Sequence, residues 1–88
     1  MTGKLDAIRT LLRYEWNPAG IDPAKDAHDR YDGYALRLFS MMYSQPGEER
    51  VAAYLDRMQG TDLGLPVTTE HNRAVARRIV ALFRDDEP

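Results

Sequence analysis

Apolar side chains recur at intervals of three and four residues along most of this chain. This spacing places them on one face of an amphipathic helix. Four segments carry such a stripe, at about residues 3–15, 28–44, 47–59 and 69–84. Because no stretch between them reads convincingly as a strand, the sequence predicts an all-α fold in which the four helices form a compact bundle.

Proline, glycine and threonine residues mark the ends of these helices. Asn17 precedes a proline, which disfavours the helical conformation there, so the first helix should end at this point. Gly60 suits the position after the C-terminus of the third helix, and Thr68 or Thr69 suits the N-cap of the fourth. The loop between them, residues 61–67, is expected to lie extended over the core without forming a sheet.

The connection between the first two helices, residues 16–28, is longer than most connections in compact domains. Trp16, the only tryptophan, stands at its start. Tyr31 and Tyr34 follow its end and are spaced to share one helical face. We therefore expect the indole and the two phenol rings to hold this connection against the body of the protein.

The composition is that of a single globular domain spanning residues 1–88, with 43 % hydrophobic and 30 % charged residues. A net charge of −2 argues against nucleic-acid binding driven by bulk electrostatics. Since the chain contains no cysteine, disulfides and thiolate metal sites are excluded, and a reducing cytoplasm fits. No segment approaches the roughly 20 apolar residues of a membrane span, so a soluble protein is expected. The acidic residues 85–88 should fray from the last helix.

Candidate catalytic and metal-binding residues are few. Near the start of the second helix, His28 lies among four aspartates, which are Asp22, Asp26, Asp29 and Asp32. Their spacing differs from that of an EF-hand loop, and the helix dipole alone favours acidic residues at a helix N-terminus. His28 and His71 lack the spacing of a zinc site. No serine has the neighbouring base and glycine-rich turn of a nucleophile, so no catalytic, cofactor-binding or metal-binding residue is predicted.

The fourth helix is basic. It carries four arginines, which are Arg73, Arg77, Arg78 and Arg84. A helix-turn-helix with the third helix is disfavoured because the connection is about eight to ten residues long, whereas that motif uses three or four. Glu70 and the acidic tail dilute the patch further. A solvated charged face is the preferred interpretation, and nucleic-acid binding is not expected.

Aromatic residues are the feature that most suggests binding. Tyrosine and tryptophan dominate protein–protein hot spots, and five tyrosines and one tryptophan exceed what so small a core can bury completely. We therefore predict a non-enzymatic protein-interaction domain whose partner-binding residues are Trp16, Asp29, Tyr31, Asp32 and Tyr34. On this hypothesis these residues form an exposed patch, and the substitution Trp16→Ala weakens binding more than it unfolds the domain.

One alternative function stays open. A pocket between residues 16–28 and the second helix would bind a small molecule if Asp29, Asp32 and the tyrosine hydroxyls converged on it. A homodimer is compatible with either function.

Three stretches, residues 16–21, 29–34 and 63–65, resemble a pattern of small bacterial helical proteins. In that pattern a Trp-x-Pro-x-Gly stretch leads to a Tyr-Asp-x-Tyr helix, and a short Gly-Leu loop precedes the last helix. The resemblance covers about residues 8–83 and implies a compact helical domain of bacterial origin. The group has no established activity, and proteins of this style are associated with immunity or accessory roles toward toxins. This chain has Asn17 where an aspartate is more usual, so the resemblance supports no role for a carboxylate there.

Overall fold

The computed structural model of the chain describes residues 3–20 and 31–84. Within these residues there are four α-helices and no strand, so the prediction of an all-α fold is confirmed. The helices are α1 (Lys4–Thr10), α2 (Asp32–Met41), α3 (Glu48–Arg57) and α4 (Thr69–Arg84). None of the helices in the described ranges is both long enough and apolar enough to cross a bilayer.

Three of the helices end in a turn of different pitch. α1 continues as a π-helical segment, Leu11–Trp16, and α3 as a second one, Met58–Asp62, whereas α2 ends in a 3₁₀ turn, Met42–Ser44. The wider turn of a π-helix, which contains more residues than an α-helical turn, is visible where each π segment closes. The amide of Asn17 donates to the carbonyl of Leu12 at 2.9 Å, five residues back. Such segments are rare and often lie at functional sites. Here the first π segment contains Trp16 and the second contains Gln59, and both side chains are buried.

The helix boundaries agree with the prediction at both ends of the chain and differ in the middle. The first helix does end before Asn17, but φ there is +29°, so the backbone enters the left-handed side and not the extended region. Asparagine tolerates positive φ better than most residues. The predicted end of the third helix is wrong because Gly60 lies inside the π segment, which runs to Asp62. Residues 28–30, where the second helix was predicted to begin, lie outside the described residues.

The helices pack as two pairs, α1 on α2 and α3 on α4. The π segment Leu11–Trp16 packs on α4 and so joins the two pairs. The side chains with the least exposure come from all four helices and include Ile8, Leu12, Leu38, Leu55, Met58 and Ile79. α4 therefore receives contacts from both pairs, from the Leu11–Trp16 segment and, near its C-terminus, from the Phe39 ring of α2 against Phe83.

Gln45 ends the 3₁₀ turn with φ 52° and ψ 56°, in the left-handed region. That conformation costs a residue other than glycine about 1–2 kcal/mol. The Gln45 side chain is exposed, so Gln45→Gly is expected to raise the free energy of unfolding by about 0.5–1 kcal/mol. This gain is smaller than the backbone strain that is relieved, because glycine also raises the conformational entropy of the unfolded chain.

Urea denaturation followed by far-UV circular dichroism measures this change. Ser44→Gly, one residue earlier in the turn, is the matched control and should destabilise the protein, since its backbone gains nothing from glycine. A Gln45→Gly protein less stable than the parent would contradict the argument.

Candidate functional site

The aromatic residues predicted to bind a partner form a cluster, and most of it is inside the protein. Trp16 is 2 % exposed and Tyr31 5 % exposed, whereas Tyr34 is half-buried. The Trp16 ring meets the edges of Tyr31 and Tyr34 at centroid distances of 5.4 and 6.2 Å. The expected exposed patch is therefore wrong for Trp16 and Tyr31, because their rings pack on each other in the core.

The same cluster brings together the two ends of the long connection, whereas the expectation that the whole connection lies against the body falls mostly on residues outside the described ranges. The Tyr31 hydroxyl donates to the Asn17 side-chain oxygen at 2.9 Å and accepts from the Ala19 amide at 3.3 Å. An amide oxygen serves here as the acceptor, so a carboxylate is not needed at position 17 for this contact. Residues 21–30 of the connection lie outside the described residues.

Asp32 ties α2 to α1. Its carboxylate accepts from the Arg9 guanidinium at 2.8 Å, and Arg9 also contacts Asp6 at 3.3 Å. The hydrogen bond from Arg9 to Asp32 raises the pKa of the Arg9 guanidinium. Asp32 is thus engaged within the chain, and Asp29, the other carboxylate predicted to bind a partner, lies outside the described residues.

The most buried polar side chain, Asn72, was not predicted to matter. It is fully buried in the first turn of α4. Its side-chain oxygen accepts from the Trp16 indole N–H at 2.7 Å, and its amide nitrogen donates to Asp56 at 2.7 Å and to Gln59 at 2.8 Å. One side chain therefore connects the end of the first helix to α3 and its π segment.

Gln59 extends this set toward the loop before α4. It is 2 % exposed, and its side-chain oxygen accepts from the backbone amide of Thr68 at 3.2 Å. Its amide nitrogen donates to the Thr68 hydroxyl at 3.2 Å. We call Trp16, Asp56, Gln59, Thr68 and Asn72 the Asn72 network. Among the described residues every buried side-chain nitrogen and oxygen has at least one partner, and this includes the buried polar atoms of the network.

A signal for Asn72 was present in the sequence. Positions 72, 75, 76, 79 and 80 follow one helical stripe, and all five are buried. Asn72 is the polar member of that stripe, and a polar residue at a buried position requires partners. The identity of those partners was not available from local spacing, since Trp16 lies 56 residues away along the chain.

A second set of contacts involves the charged side chains of α4. His71 lies 2.6 Å from the carbonyl of Glu15, and Arg78 pairs with the Glu15 carboxylate. Arg77 pairs with Glu48 at 2.9 Å. Two of the four arginines predicted to form a solvated face therefore have acidic partners within the chain.

Large apolar side chains are exposed on the other pair of helices. On α2 and the turn that follows it, Leu36 is 54 % and Tyr43 78 % exposed. They share one side of the helix with smaller or polar residues. We call this surface the outer face of α2, and its exposed residues are Gly33, Leu36, Arg37, Ser40 and Tyr43. Leu36 and Tyr43 depart from the three- and four-residue spacing of the buried residues Tyr31, Ala35, Leu38 and Met42, which was the sequence signal for their exposure.

The outer face of α2 borders a charged group. Arg37 lies 3.9 Å from Asp62, the last residue of the second π segment. Burial raises the pKa of the neighbouring Tyr34 hydroxyl, and the negative charge of Asp62 raises it further. Tyr43 packs edge-on against the half-buried Phe39 ring at a centroid distance of 5.5 Å. The face thus has an aromatic end at Tyr43 and a charged border at Arg37.

The described residues build no metal site. Within residues 3–20 and 31–84, no three histidine, aspartate or glutamate side chains lie close enough together to hold a metal ion. An open depression of about 520 Å³ lies at the start of α4 and is lined by residues 67–71. It is far along the chain from the pocket predicted beside residues 16–28, most of whose walls lie outside the described residues.

Comparisons with protein-family models, curated proteins and solved structures found no match to this chain. The resemblance to small bacterial helical proteins therefore stays a prediction. What the fold and contacts establish is an all-α bundle whose helix pairs are tied by the Asn72 network and whose outer face of α2 presents exposed apolar side chains.

Proposed function

We propose that this protein is a non-enzymatic protein-interaction domain that binds through the outer face of α2. The observation that carries the proposal is the exposure of Leu36 and Tyr43, at 54 % and 78 %, on one side of α2 and of the 3₁₀ turn that follows it. Exposed aromatic and aliphatic side chains rimmed by polar residues mark interaction surfaces. The narrower role of an immunity or accessory protein in bacteria comes from the sequence resemblance alone.

The aromatic cluster of Trp16, Tyr31 and Tyr34 has a supporting part in this proposal. Tyr31 precedes α2 directly and Tyr34 lies in its first turn, so the cluster fixes the position of that helix. A preorganised helix loses less entropy on binding than a mobile one. The proposed contact surface then begins beside the predicted residues and extends along α2 to Tyr43, beyond the region that the sequence predicted.

The test is a capture experiment with the immobilised chain. Two probes are offered: a native lysate of the source cells, and a copy of this chain that carries a different tag. The double substitution Leu36→Ser/Tyr43→Ser is expected to abolish stoichiometric capture of a protein that the parent retains. Both side chains are exposed, so far-UV circular dichroism should show an unchanged fold.

The matched control is Tyr14→Ser/Val67→Ser. It also removes one exposed tyrosine and one exposed aliphatic side chain, which are 62 % and 45 % exposed, but from other surfaces. It should capture the same protein as the parent. Equal loss in both double variants, or capture of no protein from either probe, would contradict the proposed function.

A further inference from the structure

The outer face of α2 has a regular alternation of small and large residues. Gly33 and Ser40 are seven residues apart, as are Leu36 and Tyr43, and all four are exposed. This is the spacing of the two seam positions of a heptad, with small residues at one position and large residues at the other. The face is therefore shaped like one half of a helix–helix seam.

The order from Gly33 to Tyr43 is small, large, small, large, and in the opposite direction it is large, small, large, small. If two copies of α2 pack antiparallel about a two-fold axis near residue 38, Gly33 of one copy faces Tyr43 of the other, and Leu36 faces Ser40. Every large side chain then meets a small one. A two-fold interface uses the same surface on both subunits, which is what such a pattern requires.

Room for the incoming tyrosine exists at Gly33. Apart from its own helix turn, a Cβ atom placed at Gly33 would meet no atom of the described residues within 4 Å. Gly33 also costs α2 up to about 1 kcal/mol relative to alanine. Within residues 3–20 and 31–84 nothing packs close enough to require the glycine, whereas a second copy of α2 would.

The charges beside the seam are compatible with two copies. Arg37 is the charged residue nearest the axis, and two unpaired arginines there would repel each other. Asp62 lies 3.9 Å from Arg37, so two copies bring two arginines and two aspartates together with no net charge.

We propose that the partner of the outer face of α2 is a second copy of this chain, bound antiparallel through Gly33, Leu36, Ser40 and Tyr43. This inference rests on the proposed function and names its partner. The seam spans about 15 Å of helix, so the buried area falls in the small-interface class and the dimer is weak, with a dissociation constant on the order of 10–100 µM.

Sedimentation velocity over loading concentrations of about 5 to 500 µM tests the proposal. The parent should shift from monomer to dimer in this range. Gly33→Leu fills the space for Tyr43 while favouring the helix, so it should raise the dissociation constant at least about tenfold while the monomer stays folded. Tyr43→Ala should weaken the dimer by a similar factor.

The double variant Gly33→Leu/Tyr43→Ala is the decisive sample. It exchanges the large and small positions, so a large side chain again faces a small one, and its dissociation constant should return to within about threefold of the parent. A protein that stays monomeric, a Gly33→Leu variant that dimerises like the parent, or a double variant without recovery would each overturn the antiparallel dimer.

The two proposals fail in different ways. A monomeric chain that still captures another protein, and loses it in Leu36→Ser/Tyr43→Ser, overturns the dimer and supports the proposed function. A monomeric chain that captures no protein overturns both.

Discussion

The substitution Asn72→Ala is expected to lower the free energy of unfolding by about 2–4 kcal/mol, because two buried groups and one partly buried carboxylate lose a hydrogen-bond partner at once. The Trp16 N–H, the Gln59 side-chain oxygen and the Asp56 carboxylate all bond to this one side chain. Asn72 is fully buried, so water can replace its side chain only if the Leu11–Trp16 segment separates from α4.

Urea denaturation followed by far-UV circular dichroism measures the loss, and native-state hydrogen exchange shows where it acts. Amide hydrogen exchange should become faster first where the Leu11–Trp16 segment contacts α4. Arg73→Ala, the next residue along α4 and an exposed one, is the matched control and should change stability by less than about 0.5 kcal/mol. If Asn72→Ala lowered the free energy of unfolding by less than about 1 kcal/mol, the Asn72 network would not be what holds the two helix pairs together.

The short-range features of this fold were predictable from the sequence. The apolar stripes located all four helices, and the stripe of α4 gave its bounds, Thr69–Arg84, correctly. Each stripe depends on residues within a few positions of one another, which is the information that a single sequence carries most clearly. The proline after Asn17 likewise identified the end of the first helix.

The long-range features were not predictable in the same way. The π segments have no periodicity of their own that would distinguish them from α-helix, so Gly60 was assigned to the end of a helix that continues to Asp62. The buried Trp16 indole donates its hydrogen bond to Asn72, which lies 56 residues further along the chain. An aromatic residue at a loop boundary suits either a hot spot or a core, and only tertiary contacts decide between them.

The exposed surface of α2 was predictable from the sequence only in part. Leu36 and Tyr43 stand outside the buried stripe of their helix, so their exposure follows from spacing alone. The sequence interpretation gave more weight to the concentration of aromatic residues before α2 than to this departure from the stripe. The aromatic cluster proved to be the support of α2, and the exposed residues lie further along it.

The substitution Trp16→Ala should unfold most of the protein. It removes a ring that is 2 % exposed and leaves the Asn72 side-chain oxygen without its donor. Cavity formation and the lost hydrogen bond together should cost about 4–6 kcal/mol, which is comparable with the entire stability of a domain of this size. This reverses the expectation from the sequence, in which the variant stays folded and loses a partner. Far-UV circular dichroism and urea denaturation test it, with Tyr14→Ala, 62 % exposed in the parent, as the control.

A milder substitution separates the two contributions. Trp16→Phe keeps most of the ring volume and removes the N–H donor, so it should cost about 1.5–3 kcal/mol in the parent chain. In the Asn72→Ala background the same substitution should cost at least about 1 kcal/mol less, since the acceptor is already absent. Equal costs in both backgrounds would place the contribution of Trp16 in its packing against Tyr31 and Tyr34. A clear difference would show that the hydrogen bond between Trp16 and Asn72 itself stabilises the fold, in addition to the packing of the ring, and so helps to join the Leu11–Trp16 segment to α4.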